Sequence, residues 1–107
     1  MTSHLTTHIL NAVTGTPAAA VSVTLASASG EVVANGLTDE DGRLALGPEV
    51  LPPGDYTLSF DTGTYFASTG TEAFYPSVTI AFTVGNLPHY HVPLLASPWA
   101  YSTYRGS

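Results

Sequence analysis

Residues 78–84 read VTIAFTV, with Val78, Ile80, Phe82 and Val84 on every second position and Thr79, Ala81 and Thr83 between them. Side chains of an extended chain point alternately to opposite faces, so this stretch makes a strand with one apolar face. Its branched and aromatic residues suit a pleated surface. The same alternation recurs upstream. Residues 20–26, AVSVTLA, place Val21, Val23 and Leu25 on one side, and residues 56–60 do so with Tyr56, Leu58 and Phe60. Turn-forming clusters separate the runs: TGTP at 14–17, SG at 29–30, DEDG at 39–42, PPGD at 52–55 and GNLP at 85–88. Strands are therefore expected near residues 5–13, 20–27, 31–37, 43–46, 55–61, 78–85, 89–96 and 99–105. Residues 61–75, DTGTYFASTGTEAFY, break the alternation and hold either one short helix or a loop. So many short strands in 107 residues predict a single all-β domain over residues 1–107, folded as a two-sheet sandwich.

Composition narrows the function. Only 9% of residues are charged, and Lys plus Arg total 2 against 8 acids, for a formal charge of −6. Nucleic-acid binding requires a row of phosphate-neutralising cations that this chain lacks, and an anionic membrane surface would repel it. Cysteine is absent, which removes disulfides, thiolate nucleophiles and cysteine-based zinc sites. The opening MTSHLTTHIL has neither a basic region nor a long apolar run, so a cytoplasmic protein is expected.

The residues able to do acid–base or binding chemistry are few. Asp39, Glu40 and Asp41 precede Gly42 in what reads as a solvated hairpin turn. His89 and His91 lie two apart on a strand and share a face. His8 lies on the first strand, with His4 on its face if that strand extends so far. Each is a surface or core histidine, a metal ligand in a set of His8, His89 and His91, or a proton donor and acceptor near neutral pH. The cations are Arg43 and Arg105, and there is no lysine. Arg43 could simply pair with Asp39 or Asp41. In a chain that dispenses with cations elsewhere, however, two guanidinium groups suggest a specific task, the paired hydrogen bonding of a planar, oxygen-rich ligand.

Taken in order, LTTHILN, TGTPA at 14–18, TDEDGR at 38–43, FYP at 74–76, HYHVPLLASP and the closing YSTYRGS resemble the 5-hydroxyisourate hydrolase family, the transthyretin-related proteins of purine catabolism. That resemblance implies a transthyretin-like sandwich of two four-stranded sheets. It also implies a homotetramer, a dimer of dimers with active sites in a channel at the dimer–dimer interface, and no metal or organic cofactor. The family's catalytic set falls on His8, Arg43 and His91. Its substrate-binding C-terminal tetrapeptide falls on Tyr104, Arg105, Gly106 and Ser107. Ala96, Asn11 and Trp99 depart from the family's usual residues without touching that set.

The implied reaction opens the six-membered ring of 5-hydroxyisourate by water attack on a ring amide, giving 2-oxo-4-hydroxy-4-carboxy-5-ureidoimidazoline. Such a step needs a base for water, a counter-charge for the carbonyl oxygen and a proton for the leaving nitrogen. His8 and His91 suit the proton transfers, in either order, and Arg43 suits the oxyanion. A non-catalytic transthyretin-like carrier of a small aromatic ligand is the competing reading. It would favour apolar walls over converging polar groups.

Overall fold

The computed structural model describes residues 3–106. The first strand, β1 (Leu5–Asn11), shows how alternation divides labour. Leu5, Thr7, Ile9 and Asn11 face inward and are buried, while Thr6, His8 and Leu10 face outward and are half-buried. Thr7 is polar on the inner face, and its Oγ1 donates to the Val92 carbonyl at 2.6 Å. That bond offsets the cost of burying a hydroxyl.

Around β1 the first sheet assembles. Strand β8 (Tyr90–Ala96) runs parallel to it on one side, and β9 (Tyr101–Thr103) flanks β8. On the other side, β5 (Arg43–Leu46) pairs with Leu5–His8 and the short β2 (Thr16–Pro17) with Leu10 and Asn11. Because β2 and β5 share one edge, this sheet of five strands is only four strands across. The second sheet is antiparallel and four-stranded, in the order β4 (Val32–Leu37), β3 (Ser22–Ser27), β6 (Gly54–Phe60), β7 (Val78–Val84). The expected two-sheet all-β sandwich is thus the observed fold, with β2 added to the first sheet.

Between the sheets, Leu5, Ile9 and Leu94 meet Val23, Leu25, Leu58 and Phe60, all at most 1% exposed. Burying side chains of this size contributes about 1.5–3 kcal/mol each. Residues 61–75 resolve in favour of a helix, α1 (Thr62–Ser68). Asp61 caps it by accepting from the Thr64 N–H at 3.2 Å, and Phe66 anchors it in the core. None of the described helices is long and apolar enough to cross a membrane.

Several strands stop short of the alternation, each for a local reason. Asn11 Oδ1 accepts from the N–H groups of Val13 and Thr14 at 3.0 and 3.4 Å, which turns the chain and ends β1 at Asn11. Ala20 has φ +61, a left-handed conformation that delays β3 to Ser22. Near the C-terminus the Ser97 N–H and Oγ both donate to the Ala100 carbonyl at 2.9 Å, so a tight turn takes residues expected in the last strand. After β9 the chain rejoins β8 at one point, where the Gly106 N–H donates to the His91 carbonyl at 2.8 Å.

Candidate active site

The outer face of the first sheet carries the chemistry. His8 on β1 is directly opposite Arg43 on β5, and Thr6 is opposite His91 on β8. Side chains directly opposite on an antiparallel pair have Cβ atoms only about 4.5–5.5 Å apart, so His8 and Arg43 are immediate neighbours. Three strands therefore bring His8, Arg43 and His91 to one face, as their positions in the sequence imply.

The acidic turn sets the start of β5. Asp39 Oδ1 accepts from the N–H groups of Asp41 and Arg43, both at 2.9 Å, and the Gly42 N–H donates to the Asp39 carbonyl at 2.9 Å. Gly42 sits at φ +73, and a Cβ there would lie 2.5 Å from the Ile9 carbonyl oxygen, inside contact distance. Only glycine lets the turn lie against β1. The Asp39 carboxylate thus organises the backbone that holds Arg43, and the Arg43 side chain projects outward, exposed.

His91 is the most constrained of the candidates. Its Nδ1 lies 2.8 Å from Thr6 Oγ1, and the same hydroxyl lies 2.9 Å from His89 Nε2. Gly106 packs over its ring so tightly that a Cβ at residue 106 would overlap Cδ2 and stand 3.1 Å from Cγ. Burial lowers the proton affinity of His91 below the ordinary histidine value, and electrostatic repulsion by Arg43, His8 and His89 lowers it further, against an opposing hydrogen bond to the Thr6 backbone. The imidazole is therefore neutral at neutral pH and able to accept a proton.

A cavity of about 430 Å³ opens on this face, walled by Thr6, Asp39, Arg43, Ala45, His89 and His91 among others. A larger one, about 580 Å³, lies on the other side of His91 between β7 and the C-terminal segment. Tyr104 and Arg105 line this second cavity. The pleat explains the separation: Gly106 is opposite His91, so alternation puts Arg105 on the side of Val92. Within one chain, then, His91 is the wall between Arg43 and Arg105. Ser107 lies outside the described residues.

His4 departs from the expected placement beside His8. Strand β1 begins only at Leu5, and the His4 ring turns inward to 5% exposure. Its Nδ1 accepts from the Leu51 N–H at 2.8 Å, so the ring proton sits on Nε2, which donates to the Leu87 carbonyl at 2.6 Å. His4 ties two loops together and is a structural residue. Among the described residues no three side chains of the metal-ligating types cluster together. The rings of His89 and His91 converge on a hydroxyl instead.

Thr6 is the hydrogen-bond partner of His91 that sequence reasoning passed over. Its signal was available, since residue 6 shares a pleat with His8. A threonine in a strand, however, reads first as a good β-former.

Residues 5–106 match the sequence model of the HIUase/Transthyretin family. The chain belongs to that family. Among HIUase/transthyretin relatives, the 5-hydroxyisourate hydrolase of Salmonella dublin is 47% identical over 109 residues, covering 96% of this chain and 80% of that one. The structure of Klebsiella pneumoniae 5-hydroxyisourate hydrolase superposes with a TM-score of 0.91 at 43% identity, covering 98% of this chain and all of the other (100%). Sea bream transthyretin in complex with thyroxine is also similar, with a TM-score of 0.88 at 32% identity, over 96% of this chain and 94% of that one.

Proposed function

We propose that this chain is a 5-hydroxyisourate hydrolase that opens a ring amide of its substrate by histidine-assisted attack of water. The observation that carries the reading is the outer face of the first sheet, where Arg43 and a neutral His91 wall a cavity and His8, which does not line it, stands directly opposite Arg43 on the strand between them. His91 takes a proton from water through Nε2, the ring nitrogen that Thr6 leaves unengaged. The resulting hydroxide adds to the amide carbonyl. Arg43 holds the substrate's carbonyl groups and the oxyanion, and its charge acts strongly where water is excluded. His8 then supplies the proton on which the nitrogen departs.

Gly106 seats the catalytic ring, while Tyr104, Arg105 and Ser107 belong with it to a substrate-binding C-terminus. In this reading the functional unit is a cytoplasmic homotetramer, a dimer of dimers with its sites at the dimer–dimer interface, and each chain is one domain over residues 1–107. Exposed Phe74, Trp99 and Tyr101 support association, because contiguous exposed aromatics mark interfaces. So does the exposure of β9 at the rim of its sheet.

The test is an ultraviolet assay in which urate and urate oxidase generate the substrate in place. Faster loss of the intermediate on adding the protein, unchanged by a chelator, is the expected result. Binding without turnover would leave a transthyretin-like carrier.

A further inference from the structure

We propose that Thr6 and His89 form a proton relay that sets the tautomer of His91 and resets it between turnovers, a deepening that rests on the hydrolase reading above. A hydroxyl has one proton to give and lone pairs to receive. Thr6 Oγ1 lies within hydrogen-bonding distance of both His91 Nδ1 and His89 Nε2, at 2.8 and 2.9 Å. It can therefore donate to only one ring and must accept from the other. The two imidazoles are locked in opposite senses.

Electrostatics selects between the two senses. The charged and titratable groups around His91 are His8 on β1, Arg43 on β5, Asp39 in the turn before it, His89 at the entry to β8, and Arg105, Tyr90 and Tyr104 in the adjoining cavity. Arg43 shares the cavity with His91, and a nitrogen lone pair facing a guanidinium is favoured over an N–H facing it. The resting state accordingly has His91 Nδ1–H donating to Thr6, the Thr6 hydroxyl donating to His89 Nε2, and His91 Nε2 bare. Thr6 thus acts through His91 as a positioning residue.

After His91 Nε2 accepts the proton of water, the ring is an imidazolium. Its Nδ1 proton passes to Thr6 Oγ1 as the Thr6 proton passes to His89 Nε2. His89 is exposed, and it releases the proton on its Nδ1 to solvent. No charge is left behind: one proton enters at His91 Nε2 and one leaves at His89 Nδ1. Resetting returns the two hydrogen bonds to their first sense by the reverse exchange, through solvent at each end.

Two measurements test this. Nitrogen-15 NMR of the histidine side chains in the resting protein should show His91 neutral with its proton on Nδ1, a preference lost in Thr6→Val and restored in Thr6→Ser. In dilute buffer, Thr6→Val and His89→Ala should each lower kcat by about tenfold with KM nearly unchanged, the scale of one charge-assisted hydrogen bond. Added imidazole, a mobile proton carrier, should rescue His89→Ala and leave Arg43→Gln impaired. The relay is overturned by a His91 proton resting on Nε2, by full kcat in His89→Ala, or by a His89→Ala defect that imidazole does not relieve. A wild-type protein without turnover would overturn the hydrolase reading and the relay with it, while the NMR result would still decide the tautomer lock on its own.

Discussion

His91 gathers more constraints than any other side chain: a hydroxyl on one nitrogen, a glycine pressed on the ring, and three cationic or titratable neighbours. Replacing it with alanine should cut turnover by about two to four orders of magnitude, the usual worth of a general base. A purified variant within threefold of wild type would refute the assignment. The pH profile follows from the direction of its shift. Catalysis needs the neutral ring, and the folded protein holds the proton affinity down, so kcat/KM should stay level as pH falls through about 6.5 and decline only below it. An acid limb at or above that value would contradict the assigned environment. Gly106→Ala should displace the ring, lowering kcat/KM by about tenfold or more while leaving the melting temperature nearly unchanged, because the site is at the molecular edge. His8, Arg43 and His91 were singled out as candidates in the chain because family motifs surround them. Thr6 and His4 were not, since a threonine hydroxyl's partners and the turn that swings His4 inward depend on strands far away in sequence.

At the level of elements, what could be read was whatever depends on near neighbours. Alternation located β3, β6 and β7 because each turns one face to the core, and the acidic turn was legible as a turn from Asp and Gly alone, whereas the two-residue β2 lies inside the stretch 14–17 that reads as a turn. Helix α1 was ambiguous because a single residue, Phe66, carries most of its anchoring, and one apolar side chain has no period. The parallel pairing of β1 with β8 was invisible, for no local pattern announces a partner 85 residues away. The turn before β5 gives a direct test of how an element supports the site. Asp39→Ala removes the acceptor of two backbone N–H groups and should cost about 1–2 kcal/mol of stability, with a fall in kcat/KM as Arg43 loosens. Asp39→Asn keeps the Oδ1 acceptor and should retain most of both. Equal damage in the two variants, read by thermal unfolding and turnover together, would show that charge and not turn geometry matters there.

For the whole molecule, the sheet rims and exposed aromatics decide how the chain behaves in solution. Phe74 and Trp99 stack with their centroids 5.8 Å apart, yet they are 64% and 63% exposed. Light scattering at micromolar concentration should return four times the 11.1 kDa chain mass, and a monomer would contradict the proposed assembly. Assembly was the least legible property in the sequence. Low charge announces a tendency to associate but gives neither copy number nor geometry. The β1–β8 pairing has one more consequence, in the time domain of protein synthesis. On a ribosome adding about 5–20 residues per second, β1 is made about 4–17 s before the strand it must lie beside. Until then Leu5 and Ile9 lack the β8 side of their sheet, and the second sheet, complete once β7 emerges, is the scaffold on which they wait. Enzymatic competence therefore waits on β8, and nascent chains halted before it should be clients of folding chaperones rather than slow enzymes.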